Sequence, residues 1–243
     1  VAVQEEAGGM AANSYAKRLT PRSEKGGGLG NPEREETAPK AAAKMIQVAN
    51  LLKASRKTVV LTGAGISTSA GVADFRGPNG VWTAEKHGKP PPQSADFDQA
   101  MPTATHMALV ALAEAGLVHL VASQNVDALH MRSGLPRDKL AELHGNIFLE
   151  KCAKCDKEYL RDFDVGGMSF KPTGRKCTVP SCKGVLIDQL LDWDDALPEE
   201  ELQRAENELS TADLVICLGT SLRIKPASEL PLLSTKNGGK LVI

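Results

Sequence analysis

Apolar and polar positions alternate along the chain with two different periods. Between residues 41 and 57, Met45, Val48, Ala49 and Leu52 recur at helical spacing with lysines on the opposite face, which predicts an amphipathic helix whose stripe faces a core. The run Val59-Val60-Leu61 follows directly. It is too short for a helix and rich in β-branching, so it reads as a buried strand. Pro102 and Thr103 open a second helix running to about Ala115, with Gly116 suited to its C-terminal cap. Its apolar residues Met107, Leu109, Val110 and Leu112 lie on more than one face, as in a buried helix. Residues 117–121 read as the next strand and Ile147-Phe148-Leu149 as another short one. Pro198 followed by Glu199, Glu200 and Glu201 starts a helix with acid at its positive end, and Leu202, Ala205 and Leu209 form its inner face. Residues 214–218 make a buried strand, and a last strand begins at Lys240. Strands alternating with helices in this order predict an α/β fold, a doubly wound Rossmann-like parallel sheet.

The segments between these elements set the organisation. Residues 1–37 are rich in Gly, Glu, Lys and Arg without a hydrophobic period, so a flexible, mostly irregular N-terminal arm is expected over residues 1–40. The sequence starts at Val1 and its first methionine is Met10, from which a natural start at Met10, or an incomplete translation, is expected. Residues 73–101 hold the turn signals Gly77-Pro78 and Asn79-Gly80 and the run Pro90-Pro91-Pro92; long irregular loops of this kind often serve as lids. Residues 41–148 and 184–243 are assigned to the Rossmann-like domain, read as C-terminally incomplete because its last strand has only begun, and residues 149–183 to a small inserted module.

Composition narrows the function classes. The balance of 29 basic against 30 acidic side chains argues against nucleic-acid binding by charge alone, and the few aromatics argue against base-stacking platforms. No apolar run approaches the length of a membrane span, and no charged-then-apolar leader pattern opens the sequence, so an intracellular protein with no membrane partner is expected. The five cysteines fall as two close pairs and a single residue, a pattern that favours metal over disulfides in an intracellular chain.

Candidate chemistry sits at the strand ends. Gly63-Ala64-Gly65 closes the first strand. Gly63 lets the chain turn, Gly65 leaves no Cβ between the backbone and a bound phosphate, and a helix starting near Ser67 would present free N–H groups to an anion. A third glycine three residues after Gly65 is missing, since Thr68 stands there, so the segment alone fits a ligand-free strand–helix turn equally well. Asp74, Phe75 and Arg76 suit a ribose, a ring and a phosphate, or a solvated turn. Gln124, Asn125 and Asp127 follow a strand at the end where α/β folds bind ligands, and Gly219-Thr220-Ser221 ends another. His119 and His130 read as structural, whereas His144, in Leu143-His144-Gly145-Asn146, stands at the junction with the inserted module. Cys152 and Cys155, with Cys177 and Cys182, can surround one tetrahedral Zn2+ with four thiolates; with every position filled, the site would be closed and structural. Cys217 reads as packing.

Taken in order, Gly63-Ala64-Gly65-Ile66-Ser67, Ala73-Asp74-Phe75-Arg76-Gly77, Gln124-Asn125-Val126-Asp127, Leu143-His144-Gly145-Asn146, the four cysteines and Gly219-Thr220-Ser221-Leu222 resemble the sirtuins, the NAD-dependent protein lysine deacylases. The resemblance runs from about residue 14 to residue 243. Gly80-Val81-Trp82, residues 132–137 and Leu191-Asp192-Trp193-Asp194-Asp195 look like the class IV branch, and the arm from Ser14 to Glu33 is similar to the N-terminus of a nuclear, chromatin-acting type within it.

The resemblance implies NAD consumed as a co-substrate. Gly63, Ala64, Gly65, Thr68, Asp74, Phe75, Arg76, Trp82, Gln124 and His144 would contact it, and Gly219, Thr220 and Ser221 would hold its adenosine side. Asn125 and Asp127 would shape the nicotinamide pocket and the reacting ribose, His144 would be the general base, and Trp193 would line the acyl-lysine channel. Cys152, Cys155, Cys177 and Cys182 would bind one structural zinc ion. The implied reaction is deacylation of acyl-lysine in histone tails or other chromatin proteins in the nucleus, releasing nicotinamide and O-acyl-ADP-ribose. Positioning the acyl oxygen beneath the ribose carbon supplies much of the catalysis, and a histidine with a pKa near neutrality suits the later deprotonation of a ribose hydroxyl. Two other readings stay open: a protein mono-ADP-ribosyltransferase, and a non-catalytic NAD-binding chromatin scaffold. The family pattern continues beyond Ile243 with an Asn-Leu-Gln segment, a closing helix and, in the nuclear type, a basic tail; a chain ending at Ile243 is expected to bind NAD weakly or fold poorly. The spacing of Cys177 and Cys182 is shorter than in that type, which shortens a loop and keeps the ligand count.

Overall fold

The computed structural model describes residues 11–23, 25 and 27–243; the start expected at Met10 lies outside the described residues. Helices α1 (Ala12–Arg18) and α2 (Ala38–Ala54) precede strand β1 (Thr58–Thr62). After two short 3-10 turns come α3 (Val81–Lys86), α4 (Ala104–Glu114), β2 (Leu120–Ser123), α5 (Leu129–Arg132) and β3 (Leu140–Glu142). The chain continues through β4 (Gly145–Cys152), β5 (Glu158–Leu160), β6 (Pro172–Lys176), β7 (Val185–Leu190), α6 (Glu199–Thr211), β8 (Leu214–Leu218), α7 (Pro231–Lys236) and β9 (Lys240–Val242). No described helix is long and apolar enough to cross a membrane.

Five strands form one parallel sheet in the order β3-β2-β1-β8-β9. Every residue of β1 is buried, as a central strand covered on both faces requires. Val59 and Leu61 join Val215 and Cys217 in a layer closed by Ala205 and Leu209 of α6. Val60 joins Val121, Leu214 and Ile216 in the opposite layer, closed by Leu109, Val110 and Ala113 of α4 with Leu51 and Leu52 of α2. Helices therefore cover both faces, and the sheet is doubly wound as the alternation of elements predicts. The strand order reverses at β1, so the crevice beyond the carboxyl ends of β1 and β8 is the topological switch point.

A second, antiparallel sheet, β5-β4-β7-β6, forms the inserted module. Its main strand β4 begins at Gly145, immediately after His144, so the module grows directly out of the loop that carries that ring. Arg137 ties the two parts together: its guanidinium donates to Glu158 of β5 at 2.8 Å and to Glu201 of α6 at 2.6 Å.

Four features differ from the sequence pattern. Part of the arm expected to be irregular forms α1, because Tyr15 is buried against other aromatics and Arg18 pairs with Asp164. The stripe on α2 faces the core only through Val48, Leu51 and Leu52; Met45 is 62% exposed, so the helix packs by its C-terminal half. Met107 is likewise half exposed on α4. Finally, β2 starts at Leu120 and not at 117, because the amides of Leu117 and Val118 return to the Leu112 carbonyl and close the end of α4.

Candidate active site

The loops after β1 and β8 meet at the switch point. Gly63 N donates to Leu218 O at 3.1 Å and Gly65 N to Gly219 O at 2.8 Å. A Cβ on Gly63 would lie 2.8 Å from Gly219 O, and one on Gly65 2.8 Å from Gly219 Cα. These glycines therefore let two strand-end loops touch, a role beside the phosphate clearance expected at Gly65. The helix expected near Ser67 is also absent: two 3-10 turns, Ala64–Ile66 and Thr68–Ala70, end at Gly71 in the left-handed region, so no long helix dipole points into the crevice. Thr68 is exposed, and its hydroxyl donates to Gly65 O at 3.0 Å and braces the turn.

A cleft of about 570 Å³ opens here, lined among others by Gly63, Ala64, Gly65, Asp74, Phe75, Arg76, Trp82, Gln124, Asn125, Asp127, His144, Gly219, Thr220 and Ser221. The structure thus brings together residues spread over more than 150 positions of sequence, and leaves Thr68 off the lining. Gln124 spans the two loops, its amide donating to Thr220 Oγ1 at 2.8 Å. Asn125 Nδ2 donates to Ser67 Oγ at 3.3 Å, and Ser67 Oγ donates to Asp127 Oδ2 at 2.7 Å. The Leu129 amide donates to Asp127 Oδ1 at 3.0 Å, so both carboxylate oxygens are fixed. Burial pushes the Asp74 carboxyl up and the Arg76 guanidinium down from their ordinary values.

Ser67 is central to this network, yet polarity alone did not separate it from Thr68. An aromatic wall was also only partly legible. Phe75 and Trp82 lie 4.8 Å apart between ring centroids, Trp82 and Trp193 5.0 Å, and Tyr15 and Phe75 5.8 Å. The Arg76 guanidinium stacks 4.9 Å from the Trp82 ring. Tyr15 and Phe97 line the same cleft from distant parts of the chain; the spacing of apolar residues carried no sign of them. His130, by contrast, is structural as read: buried, with Nε2 2.9 Å from Thr62 Oγ1.

His144 Nδ1 lies 3.1 Å from the Gln124 carbonyl oxygen. A carbonyl only accepts, so Nδ1 carries the proton and Nε2 keeps its lone pair. Nε2 is buried and has no hydrogen-bond partner among the described residues. Burial pushes the ring's pKa from 6.5 down to about 4, below the near-neutral value expected for a base at this position.

Two residues before His144, Glu142 is 4% exposed. Its Oε1 accepts from Asn146 Nδ2 at 2.8 Å, while Oε2 has no partner among the described residues. Burial pushes its pKa from 4.5 up to about 8, against the opposing pull of Arg137. The folded protein thus holds this proton more tightly than the unfolded chain, so the associated stability is complete below pH 4.5 and is lost as pH rises through 8. Glu142→Gln supplies a permanently neutral group of the same shape. Thermal melts should show it losing less Tm than the native protein as pH rises from about 6 to about 9; parallel declines would mean that another group governs the alkaline side.

The four paired cysteines converge in the module, with all sulfurs within 4.8 Å of one another. Cys152 and Cys182 Sγ are 3.5 Å apart, and Cys155 and Cys177 Sγ 3.7 Å. Those separations are far longer than a disulfide and close to the edge of about 3.8 Å that tetrahedral Zn–S bonds of about 2.3 Å produce. Polar hydrogens also point at the sulfurs: Lys154 N donates to Cys152 Sγ at 3.4 Å, and the Tyr159 hydroxyl lies 3.1 Å from Cys177 Sγ. Donors aimed at thiolates suit a structural zinc ion. Cys217, the fifth cysteine, packs in the sheet as expected.

Comparison with known proteins bears on this arrangement. The chain matches the Sir2 family over residues 91–226. It is 53% identical over 230 residues to the NAD-dependent protein deacetylase SRT1 of Oryza sativa subsp. indica, an alignment covering 94% of this chain and 47% of that protein. It is 46% identical over 237 residues to the NAD-dependent protein deacetylase Sirt6 of Drosophila melanogaster, covering 95% of this chain and 74% of that one. The chain therefore spans about half the length of the rice relative. A solved complex of Sir2 with a p53 peptide and NAD+ superposes with a TM-score of 0.58 at 34% identity, covering 81% of this chain and 84% of that one.

Proposed function

The chain belongs to the Sir2 family, and from that premise we propose that the protein is an NAD-dependent lysine deacylase acting on acyl-lysine in histone tails or other chromatin proteins in the nucleus. The observation that carries the reading is His144: a ring with Nδ1 tied to a backbone carbonyl and Nε2 bare, on the cleft that also holds Asn125 and Asp127 at the switch point. The nuclear and chromatin setting rests on the class IV motifs. The same reading assigns residues 41–148 and 184–243 to the NAD-binding domain, residues 149–183 to the zinc module and residues 1–40 to an N-terminal arm; the module's sheet reaches past those bounds, since it takes in β4 from Gly145 and β7 to Leu190.

The cleft suits a dinucleotide, with close-packed glycine loops on one side and a Gln124–Thr220 bridge between two strand ends. Bound NAD would supply a ribose carbon carrying a cationic leaving group, nicotinamide. Gly63, Ala64 and Gly65 would hold the phosphates with Arg76, and Thr68 would brace that loop. Gly219, Thr220 and Ser221 would hold the adenosine side. Asn125 and Asp127, oriented through Ser67, would fix the nicotinamide end and its ribose. Asp74 holds the turn carrying Phe75 and Arg76, its Oδ1 accepting from Gly77 N at 3.2 Å. Phe75, Trp82 and Trp193 would exclude water from the reacting centre and line the path of the acyl-lysine. His144 Nε2 would accept a proton from a ribose hydroxyl as that oxygen attacks the acyl carbon.

The test uses the full-length protein with NAD and an acetyl-lysine histone peptide. Nicotinamide and O-acetyl-ADP-ribose should form together, one of each per lysine deacylated. Transfer of label from NAD to protein without peptide deacylation would support mono-ADP-ribosyl transfer instead. NAD binding without turnover would support a sensor or scaffold.

A further inference from the structure

We propose that Tyr159 is a positioning residue of the zinc site, its phenol donating to the Cys177 thiolate and so slowing loss of the metal. The proposal rests on the zinc reading above and goes beyond the four ligands. Tyr159 lies on β5, opposite Glu150 of β4, and its hydroxyl oxygen is 3.1 Å from Cys177 Sγ. Accounting for its protons fixes the direction of this bond. The hydroxyl accepts from the Thr178 amide at 3.0 Å, and the Thr178 hydroxyl lies 3.2 Å away as a second donor. With its lone pairs engaged by Thr178, the single phenolic proton is directed at sulfur.

The setting makes that proton count. Four thiolates on one Zn2+ leave a net charge of about −2 on the centre, and hydrogen bonds to sulfur disperse it. Among the described residues, Cys177 is the ligand with a side-chain hydroxyl at hydrogen-bond distance. It is also one of the two buried ligands, whereas Cys155 is exposed. The ring itself is held by packing with the Cys152, Cys177 and Leu186 core and by two cations, Lys157 Nζ at 5.2 Å and Arg161 at 5.1 Å from its centroid. A phenol so fixed pays little entropy to keep its bond to sulfur. Its loss leaves one donor fewer to disperse the charge on the Cys177 sulfur and to hold that ligand in place, so the zinc–sulfur contact there opens more readily.

Tyr159→Phe deletes only the donor and keeps the ring, and Tyr159→Leu deletes both. Zinc transfer from the holoprotein to a chromogenic chelator should be about tenfold faster or more in either variant, the size seen when outer-shell partners of a metal ligand are removed. In protein loaded with Co2+, the thiolate-to-metal charge-transfer band should shift to longer wavelength equally in both variants. A ring that served packing alone would give Tyr159→Phe the native release rate and the native spectrum, with only Tyr159→Leu altered, and that outcome overturns the proposal. Finding no metal in the native protein would overturn the zinc reading and this inference with it. Native protein that binds zinc while both variants release it at the native rate would overturn this inference alone.

Discussion

Alanine in place of His144 is expected to lower kcat for deacylation by about 10²- to 10⁴-fold, the range a positioned general base supplies, while the Kd for NAD changes far less. The expectation follows from the tautomer. The Gln124 carbonyl fixes the proton on Nδ1, so every molecule keeps an unprotonated, unpartnered Nε2 on a ring that lines the cleft. Gln124 also bridges to Thr220, so the group that orients the base is itself anchored across the cleft. The ring is uncharged at neutral pH because burial holds its pKa at about 4. The acid limb of kcat/KM in the native protein should therefore fall below the ordinary histidine range of about 6.5. Stability runs in the same direction. The unfolded chain takes up this proton near pH 6.5 and the folded one only near 4, so the stability tied to the neutral ring is present above 6.5 and is lost as pH falls through 4. Measuring kcat/KM against pH for both proteins tests the role. A variant with native kcat, or one with an unchanged acid limb, would remove His144 from the proton transfer.

Stripping zinc is expected to unfold the inserted module and to abolish turnover with it. Among the described residues, the apolar cluster around the cysteines is Cys152, Cys177 and Leu186, supported by Tyr159, Val179 and Cys182. A core that small cannot offset the conformational entropy of about 35 residues, which costs roughly 1–2 kcal/mol per residue for the backbone alone. Structural zinc sites supply roughly 10–16 kcal/mol of apparent binding free energy, enough to decide whether the module folds. The loss should reach the active site because β4 starts at Gly145, next to His144, and pairs there with β7. Gly145 has φ +79°, and a Cβ on it would sit 1.6 Å from Gln189 O, so the turn that aims His144 depends on close contact with β7. Native protein should hold one zinc per chain, and Cys177→Ser should hold less than one and show lost amide protection over residues 149–183. Chelated protein that keeps native protection and turnover would contradict this.

Much of the main sheet was readable because each strand is short, apolar and flanked by helical spacing. Residues 58–62, 214–218 and 240–242 appear as strands where the pattern places them. β3 and α7 were not readable: Leu140-Ala141-Glu142 holds no β-branched or aromatic residue, and the six residues of α7 are too few for a helical period to register. In the site, residue chemistry together with the family resemblance named half of the residues lining the cleft, whereas Ser67, Tyr15 and Phe97 enter it through contacts no local pattern encodes.

The glycine loop separates the two kinds of information. The sequence by itself determined that the chain turns after the first strand at Gly63, that four thiols stand at metal-ligand spacing, and that His144 precedes the inserted module, because these depend on residue type and short separations. Only the tertiary structure decided why the glycines are there. Their missing Cβ atoms admit the backbone at Gly219, some 155 residues away, and the contact closes the switch point between β1 and β8. It likewise decided the protonation of His144, because burial and the Gln124 carbonyl act on that ring only once the segment after β2 is hydrogen-bonded to residues 143–147.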